Sequence, residues 1–289
     1  MSWLKAAFDM KFDMMFHMIN AAGTPAVTHI TSRDNPLLKE LRKLSLEPTA
    51  YRKLGRVWLE GDHLCRAALQ RGWVPTVGVF AESLWPSAPR ELVQAAVKSF
   101  VIADPLFAAL SSLESPAKMG FLIDLPPPAP VQPRVSTLIL DRVQDAGNVG
   151  SILRSAAAFG VQQVLALKGT AALWSPKVLR AGMGAHFALK LHEGLALEEL
   201  LADIDSVLDR LAVPLVVTSS HHGQLLHQQA LPKPCAWVMG HEGQGVCDAL
   251  MQRAALAVRI GQPGGEESLN VAAAAAICLH ASAVGVAAV

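Results

Sequence analysis

The chain has 289 residues, 52% of them hydrophobic and 17% charged, with a formal net charge of +1 at pH 7. That composition supplies apolar surface for two domains of ordinary size and excludes disorder as the default. The near-zero charge excludes a global field for nucleic acid, so any such surface has to come from local clustering.

The four cysteines, Cys65, Cys235, Cys247 and Cys278, are widely spaced, with no C-x-x-C pair and no His-Cys grouping of the zinc type. They read as reduced thiols of a cytoplasmic protein. Residues 1–26 are rich in methionine and phenylalanine, but Lys5, Asp9, Lys11 and Asp13 interrupt the apolar run, which argues against a signal peptide or a membrane span. Met10, Met14, Met15 and Met18 raise a downstream start or a loosely held amphipathic arm, and the arm receives no function.

From residue 28 onward, Leu37, Leu38, Leu41 and Leu44 recur at helical spacing before Pro48 and predict a short helix. Leu64, Ala67, Ala68 and Leu69 do the same over residues 62–71, closed by Gly72, and Val77 to Phe80 reads as a strand. Residues 28–125 thus form a small α/β unit. Between Arg33 and Glu60 seven basic residues, Arg33, Lys39, Arg42, Lys43, Arg52, Lys53 and Arg56, outnumber four acids. Such a cluster can meet RNA phosphates, although a solvated helix face is the ordinary reading.

Residues 126–134, PPPAPVQPR, form neither a helix nor a central strand and mark a linker between domains. The pattern then becomes βαβ over residues 135–289: a strand from Thr137 to Leu140, a loop through Gly150, a helix from Ser151 to Phe159 and a strand from Val161 to Leu167. Further helices are predicted over 175–184 and 197–211, and further strands at 215–218 and 237–239. Short strands joined by crossovers give an open, doubly wound, largely parallel sheet. The final helix, Asn270 to Val284, is apolar or small almost throughout, so it is buried in the core or packed on another subunit.

The chemistry concentrates in residues 236–276. Gly240, Gly243 and Gly245 follow Met239, and Gly261, Gly264 and Gly265 follow Ile260, so backbone rather than side chains lines a pocket. Glu242 is the only acid of the first turn. Ser268 and Asn270 stand where the second turn meets a helix whose first N–H groups need partners, so capping competes with a catalytic role. In DAGNVGSILR, Asn148 sits just before the predicted helix and Arg154 about one turn inside it. A cap and a surface helix residue are the competing readings. The dinucleotide fingerprint and the Walker P-loop are both missing, which disfavours NAD and ATP. The adjacent His221 and His222 diverge and read as loop residues rather than metal ligands. No Ser or Cys stands in a G-x-S-x-G elbow, so hydrolase chemistry has little support.

NVGSILRSAAAFG, VMGHEGQG and IGQPGGEESLNVAAAAA, in this order and spacing, resemble the three motifs of the SpoU/TrmH family within the SPOUT class of RNA methyltransferases. The likeness spans about residues 136–284. The stretch ITSRDNPLLKELRKL through VWLEGDHL resembles the L30e-like substrate-binding domain that often precedes it. The resemblance implies an α/β fold, with a C-terminal SPOUT domain holding a parallel sheet and a trefoil knot, preceded by a small α/β L30e-like domain. It implies a homodimer, no membrane, and methyl transfer from S-adenosylmethionine to a ribose 2'-hydroxyl of RNA, rRNA being favoured over tRNA.

Carried onto this sequence, the resemblance implies a catalytic set of Asn148, Arg154, Glu242, Ser268 and Asn270. Cofactor contacts fall on Thr218, Met239, Gly240, Ile260 and Leu269. Arg154 would stabilise the developing alkoxide electrostatically, because a guanidinium keeps its proton and makes a poor general base. A substrate phosphate or a water would then take the proton. Glu242 would orient that guanidinium, Asn148 would hold the hydroxyl or Arg154, and Ser268 with Asn270 would fix the loop and the ribose. Two positions depart from the family pattern: His241 is bulkier than the small residue expected, and GQPGGEE replaces a shorter, more apolar lead. The competing readings are a non-catalytic RNA-binding or ribosome-assembly protein of the same fold, and a base methyltransferase.

Overall fold

The computed structural model describes residues 27–111, 113–202, 206–219, 223–265 and 268–285. His221 and His222 lie outside these.

Strand β1 (Thr28–Ile30) leads to helix α1 (Pro36–Leu46), which begins where the Asn35 side chain accepts the Leu37 N–H and Pro36 has no N–H to satisfy. Leu38, Leu41 and Leu44 bury one stripe of it, as their spacing predicts. Then come α2 (Ala50–Leu54), β2 (Arg56–Glu60), α3 (Asp62–Gln70), β3 (Val77–Ala81), α4 (Arg90–Ala95), β4 (Lys98–Ile102), α5 (Asp104–Ala108) and β5 (Met119–Asp124). The five strands form one sheet in the order β1-β4-β3-β5-β2, with β5 antiparallel to both its neighbours and the other pairs parallel. Of these strands only β3 is apparent from local pattern.

Residues 125–136 carry neither helix nor strand, as their prolines require. Beyond them lie β6 (Thr137–Leu140), α6 (Ala146–Ala158), β7 (Gln163–Leu167), α7 (Pro176–Gly182), β8 (Lys190–Leu195), α8 (Leu197–Leu200), α9 (Val207–Leu211), β9 (Leu215–Thr218), β10 (Gln224–Leu225), β11 (Ala236–Met239), α10 (Asp248–Arg253), β12 (Leu256–Arg259) and α11 (Val271–Val284). All seven strands pair in parallel, in the order β10-β12-β9-β11-β6-β7-β8. Alternate residues serve opposite faces. Leu138, Leu140, Val216, Trp237 and Met239 join a core with α6, α7 and α11. Ile139, Leu165, Val217 and Val238 join a second core with α8, α9 and α10. Burial on both faces explains why these strands read as unbroken apolar runs.

Several boundaries differ from the expectation. Helix α6 starts at Ala146, five residues before the predicted Ser151, because Asp145 accepts the Asn148 N–H as its N-cap. Gly147 and Gly150 disguise that first turn; at Gly150 an added Cβ would lie 2.4 Å from the Ala181 side chain, so the glycine lets α6 and α7 touch. The predicted helix over 197–211 is divided into α8 and α9, and Ser206 supplies a fresh N-cap by accepting the Asp209 N–H. The strand expected from Val161 begins at Gln163.

The halves share packing. Trp73 lies 5.8 Å from Trp174 and 5.4 Å from Phe187 between ring centroids, and Leu179 and Phe187 belong to the first half's core. Beneath them His186 is fully buried, with Nε2 2.8 Å from the Leu173 carbonyl, and burial holds its pKa down at about 4. No helix among the described residues is long and apolar enough to cross a membrane.

Candidate active site

Strand β6 is the point where the sheet order reverses, β7 and β8 lying to one side and β11, β9, β12 and β10 to the other. Ligands of open α/β sheets bind at the carboxyl ends of strands at such a point. A cavity of about 620 Å³ opens there. Thr218 ends β9, Gly240 follows β11 and Ile260 follows β12, and all three line it together with Leu269.

The first glycine turn is closed on itself. His241 and Gly245 exchange backbone hydrogen bonds of 3.0 and 2.8 Å. The His241 Nδ1 accepts the N–H groups of Gly243 and Gln244 at 2.9 and 3.2 Å, so the neutral ring carries its proton on Nε2. A Cβ on Gly240 would stand 2.2 Å from the Gly245 backbone, which no side chain tolerates. The bulk of His241, unexpected from the family pattern, is therefore used to shape the turn. In the second turn Pro263 sets the entry and Gly265 donates back to the Gln262 carbonyl at 3.2 Å.

Three loops distant in sequence meet through side chains. The Glu242 carboxylate accepts the N–H groups of Gln144 and Asp145 at 3.1 and 3.0 Å and the Asn148 amide at 3.2 Å. Burial alone would raise its pKa, but these three donors together outweigh it and hold the carboxyl below its ordinary value. The Asn148 Oδ1 in turn accepts from Asn270 Nδ2 at 3.0 Å, and the Asn270 Oδ1 caps α11 by accepting the Ala272 and Ala273 N–H groups. Capping and site assembly are thus one arrangement for Asn270. Ser268 lines the same cavity and is exposed, with no hydrogen bond among the described residues.

Some expected placements need correction. Met239 is fully buried in the sheet core and does not line the cavity, since strand alternation turns its side chain onto the α6 face. Asn148 lies within the first turn of α6 and not before it, the cap being Asp145. Glu242 is engaged by the loop after β6 and not by Arg154. Arg154 does not line the cavity; it is exposed on α6 in a stripe with Ser151 and Ala158, and has no hydrogen bond or ion pair among the described residues. In the first half, Arg56 is held by Glu40, Asp124 and Thr76, and Arg52 by Tyr51 and Glu193. Lys39 pairs with Asp34 and Lys43 with Glu47 at the surface, while Arg33, Arg42 and Lys53 are exposed without partners among the described residues.

The sequence reading missed Asp141 and Arg142. Asp141 is 1% exposed; it accepts from Arg142 Nε at 2.8 Å and from the Cys247 N–H at 2.7 Å, and Arg142 reaches Gln244 at 3.0 Å. A buried carboxylate directly after a strand is hard to spot in a sequence when its partner lies a hundred residues away.

The lining fits S-adenosylmethionine. The cavity is of the size that holds small organic ligands, the Gly240 and Gly245 backbones leave no side chain in the way, and among the described residues the lining holds two carboxylates, Glu242 and Asp248, with no lysine or arginine. A phosphate-bearing cofactor would look for cations there, whereas a sulfonium and an ammonium favour carboxylates. No group of His, Cys, Asp or Glu among the described residues is arranged to hold a metal ion.

Sheet order and cavity agree with the SPOUT-type methyltransferases that the three motifs resemble. Residues 136–280 match the family model described as the SpoU rRNA Methylase family. An uncharacterized tRNA/rRNA methyltransferase of Synechocystis is 31% identical over 267 residues, covering 89% of this chain and 94% of that protein. The 23S rRNA (guanosine(2553)-2'-O)-methyltransferase RlmP of Bacillus subtilis is 29% identical over 255 residues, covering 87% and 97%. Among solved structures, an RNA 2'-O ribose methyltransferase superposes with a TM-score of 0.72 at 30% identity, covering 88% of this chain and 98% of that one. The AdoMet-bound rRNA methyltransferase of Sinorhizobium meliloti superposes at 0.76 with 25% identity, covering 89% and 97%. The chain belongs to the SpoU rRNA methylase family.

Proposed function

We propose that this protein transfers a methyl group from S-adenosylmethionine to a ribose 2'-hydroxyl of RNA, ribosomal RNA in particular. The observation that carries the reading is the relay Asn270–Asn148–Glu242, which ties the three motif loops together at the cavity. The likeness to RlmP and to the AdoMet-bound Sinorhizobium enzyme supports the substrate and the cofactor.

The cofactor supplies an electrophilic methyl group; the protein has to present a hydroxyl to it and stabilise the charge that develops on oxygen. Thr218, Gly240, Ile260 and Leu269, which line the cavity, would hold the ligand. The relay uses one N–H of each asparagine amide, which leaves one N–H on Asn148 and one on Asn270 for the ribose hydroxyl or a flanking phosphate. Ser268 offers a further hydroxyl. Arg154, without a partner among the described residues and always charged, stabilises the alkoxide from the exposed face of α6, and a substrate phosphate or a water takes the proton.

In this reading the first half is the RNA-binding domain, of L30e-like type, and Arg33, Arg42 and Lys53 are its readiest phosphate contacts, aided by Lys39 and Lys43. The chain works as a cytoplasmic homodimer with its C-terminal segment threaded as a trefoil knot. The outer face of α11 supports the dimer: Ile277 is 41% and Val284 65% exposed, beside an apolar groove of about 480 Å³ lined by Leu226, Ile260, Ala276 and Ile277. The four cysteines, all free, support a reducing compartment.

The test is transfer of labelled methyl from S-adenosylmethionine to RNA lacking the modification, with the product mapped by resistance to alkaline cleavage, since that cleavage uses the 2'-hydroxyl as nucleophile. One protected linkage in ribosomal RNA, lost in Arg154→Ala, is expected. Protection in tRNA would move the substrate; label on a base, or no label in any RNA, would overturn the reading.

A further inference from the structure

Three side chains fasten the first glycine turn to the chain that follows β6. One is Glu242, already described. The other two fastenings end on neighbours in sequence: Arg142 Nη1 donates to Gln244 Oε1 at 3.0 Å, and Asp141 Oδ2 accepts the Cys247 N–H at 2.7 Å. Residues 244 and 247 bracket the closing half of the turn whose opening half is Gly240.

The arrangement is costly in isolation, and the cost needs a return. Asp141 is a carboxylate with 1% of its side chain exposed, a state that requires pairing and hydrogen bonding. Its counter-charge comes from the next residue, although consecutive side chains normally diverge. That pairing goes with a left-handed backbone at Arg142, φ 59°, which a non-glycine residue adopts only where its surroundings over-determine it. Gly169 leaves the space: a Cβ there would meet the Arg142 side chain at 3.1 Å. With its Nε on Asp141 and its Nη1 on Gln244, the guanidinium bridges a buried acid and the turn. Its planar fork suits this double contact, and a lysine could not reproduce both bonds.

We propose that Asp141 and Arg142 are positioning residues that hold the 240–247 turn in its ligand-receiving shape before the ligand arrives. The proposal rests on the reading of the cavity as an S-adenosylmethionine site. Binding to a turn already ordered loses less conformational entropy, so the pair acts on cofactor affinity and touches no reacting atom. Glu242 fixes the turn to the catalytic loop; Asp141 and Arg142 fix the shape of the turn itself.

The experiment uses the full chain, with S-adenosylhomocysteine as the probe in calorimetric titration and amide hydrogen exchange read on residues 243–247 without ligand. Arg142→Gly keeps the left-handed backbone while removing the arm, and Gln244→Ala removes the receiving end. Each is expected to weaken the probe about tenfold and to speed exchange in the turn. The double variant is expected to match the singles, because both cut one link. In turnover the loss appears in KM for the cofactor rather than in kcat, and RNA affinity holds. Asp141→Asn, which keeps an acceptor for Cys247 but drops the charge, is expected to lose at least as much. Unchanged affinity and exchange in Arg142→Gly and Gln244→Ala, with wild type binding the probe, would overturn the proposal, as would losses that add in the double variant. Wild type that fails to bind the probe would instead sink the cofactor reading beneath it.

Discussion

Tyr51 and Glu193, 142 residues apart, join the two halves: the phenol donates to the carboxylate with its oxygen 2.5 and 2.7 Å from the two acceptor oxygens. The same carboxylate accepts the Leu173 N–H at 2.6 Å and lies 3.4 Å from Arg52. Burial first, and then the facing carboxylate, push the Tyr51 pKa well above the ordinary tyrosine range. Removing the acid strands more than removing the phenol does. Glu193→Ala leaves a buried hydroxyl and a backbone N–H without their acceptor and should cost about 2–3 kcal/mol, whereas Tyr51→Phe should cost about 1 kcal/mol. Urea unfolding followed by tryptophan fluorescence measures both. Because Trp73, Trp174 and Phe187 pack across the same boundary, wild type should unfold in one transition.

Gly240→Ala tests the turn more severely. An alanine Cβ would lie 2.2 Å from the Gly245 carbonyl carbon and the Val246 nitrogen, both of them backbone, so neither can swing aside. The turn has to open, and with it the cavity wall. S-adenosylhomocysteine binding should fall at least about a hundredfold, the scale of a lost turn and its contacts, while filter binding of RNA stays near wild type because the basic residues of α1 and α2 are untouched.

What could be read from the sequence follows from the range of the forces involved. Strands β6, β9 and β11 were legible because burial on both faces leaves an unbroken apolar run, and Leu38, Leu41 and Leu44 because a helix stripe is local. The first glycine turn was legible as well, because the close backbone approach that its glycines suggest is present at Gly240, where a Cβ would stand 2.2 Å from the Gly245 backbone. The start of α6 was not: Gly147 and Gly150 look like loop, and only the approach of Gly150 to Ala181 and of Gly147 to the Asp145 carboxylate shows why they are there. Met239 is among the cofactor contacts that the resemblance implies, but the two-residue period of β11 turns its side chain into the core. The pairing of Arg154 with Glu242 is implied by the family resemblance alone, and the carboxylate instead accepts from Gln144, Asp145 and Asn148.

Asn148 and Arg154 should separate by what they disturb. Asn148→Ala breaks the relay to Glu242 and Asn270, so it should lower kcat about 100-fold, the scale of one lost donor to a developing oxyanion, and also loosen the first turn toward the cofactor. Arg154→Ala should lower kcat by a similar factor with no change in S-adenosylhomocysteine affinity, because Arg154 does not line the cavity. Titration of the probe against both variants, beside single-turnover methyl transfer, decides it; a large affinity loss in Arg154→Ala would contradict the structure.

Asn270 serves both as helix cap and as relay, and the two can be parted. Asn270→Asp keeps an oxygen for the Ala272 and Ala273 N–H groups but replaces the amide that donates to Asn148 with a second acceptor. Thermal stability should change little, since aspartate caps as well as asparagine. Methyl transfer should fall by at least about tenfold, the value of one charge-sensitive hydrogen bond. Asn270→Ala loses both roles and should in addition cost about 1 kcal/mol in stability. Parallel melting curves and initial rates separate the two effects.

His186 sets a pH dependence with a definite sign. Burial lowers its folded-state pKa to about 4, against 6.5 for the free side chain, and its Nε2 faces the Leu173 carbonyl. The folded protein therefore keeps the ring neutral where the unfolded chain already takes up a proton. The stability is fully present above pH 6.5 and is lost as pH falls from 6.5 to 4, by about 3 kcal/mol in all at 1.36 kcal/mol per pKa unit. His192, lowered by burial and by Lys190, acts in the same direction, so the loss cannot be assigned from wild type alone. His186→Gln retains a donor for the Leu173 carbonyl and has nothing to titrate. Its stability should fall less steeply than that of wild type between pH 6.5 and 4, whatever its absolute value. Urea midpoints at half-unit steps supply the comparison, and parallel curves for the two proteins would show that His186 is not the group responsible.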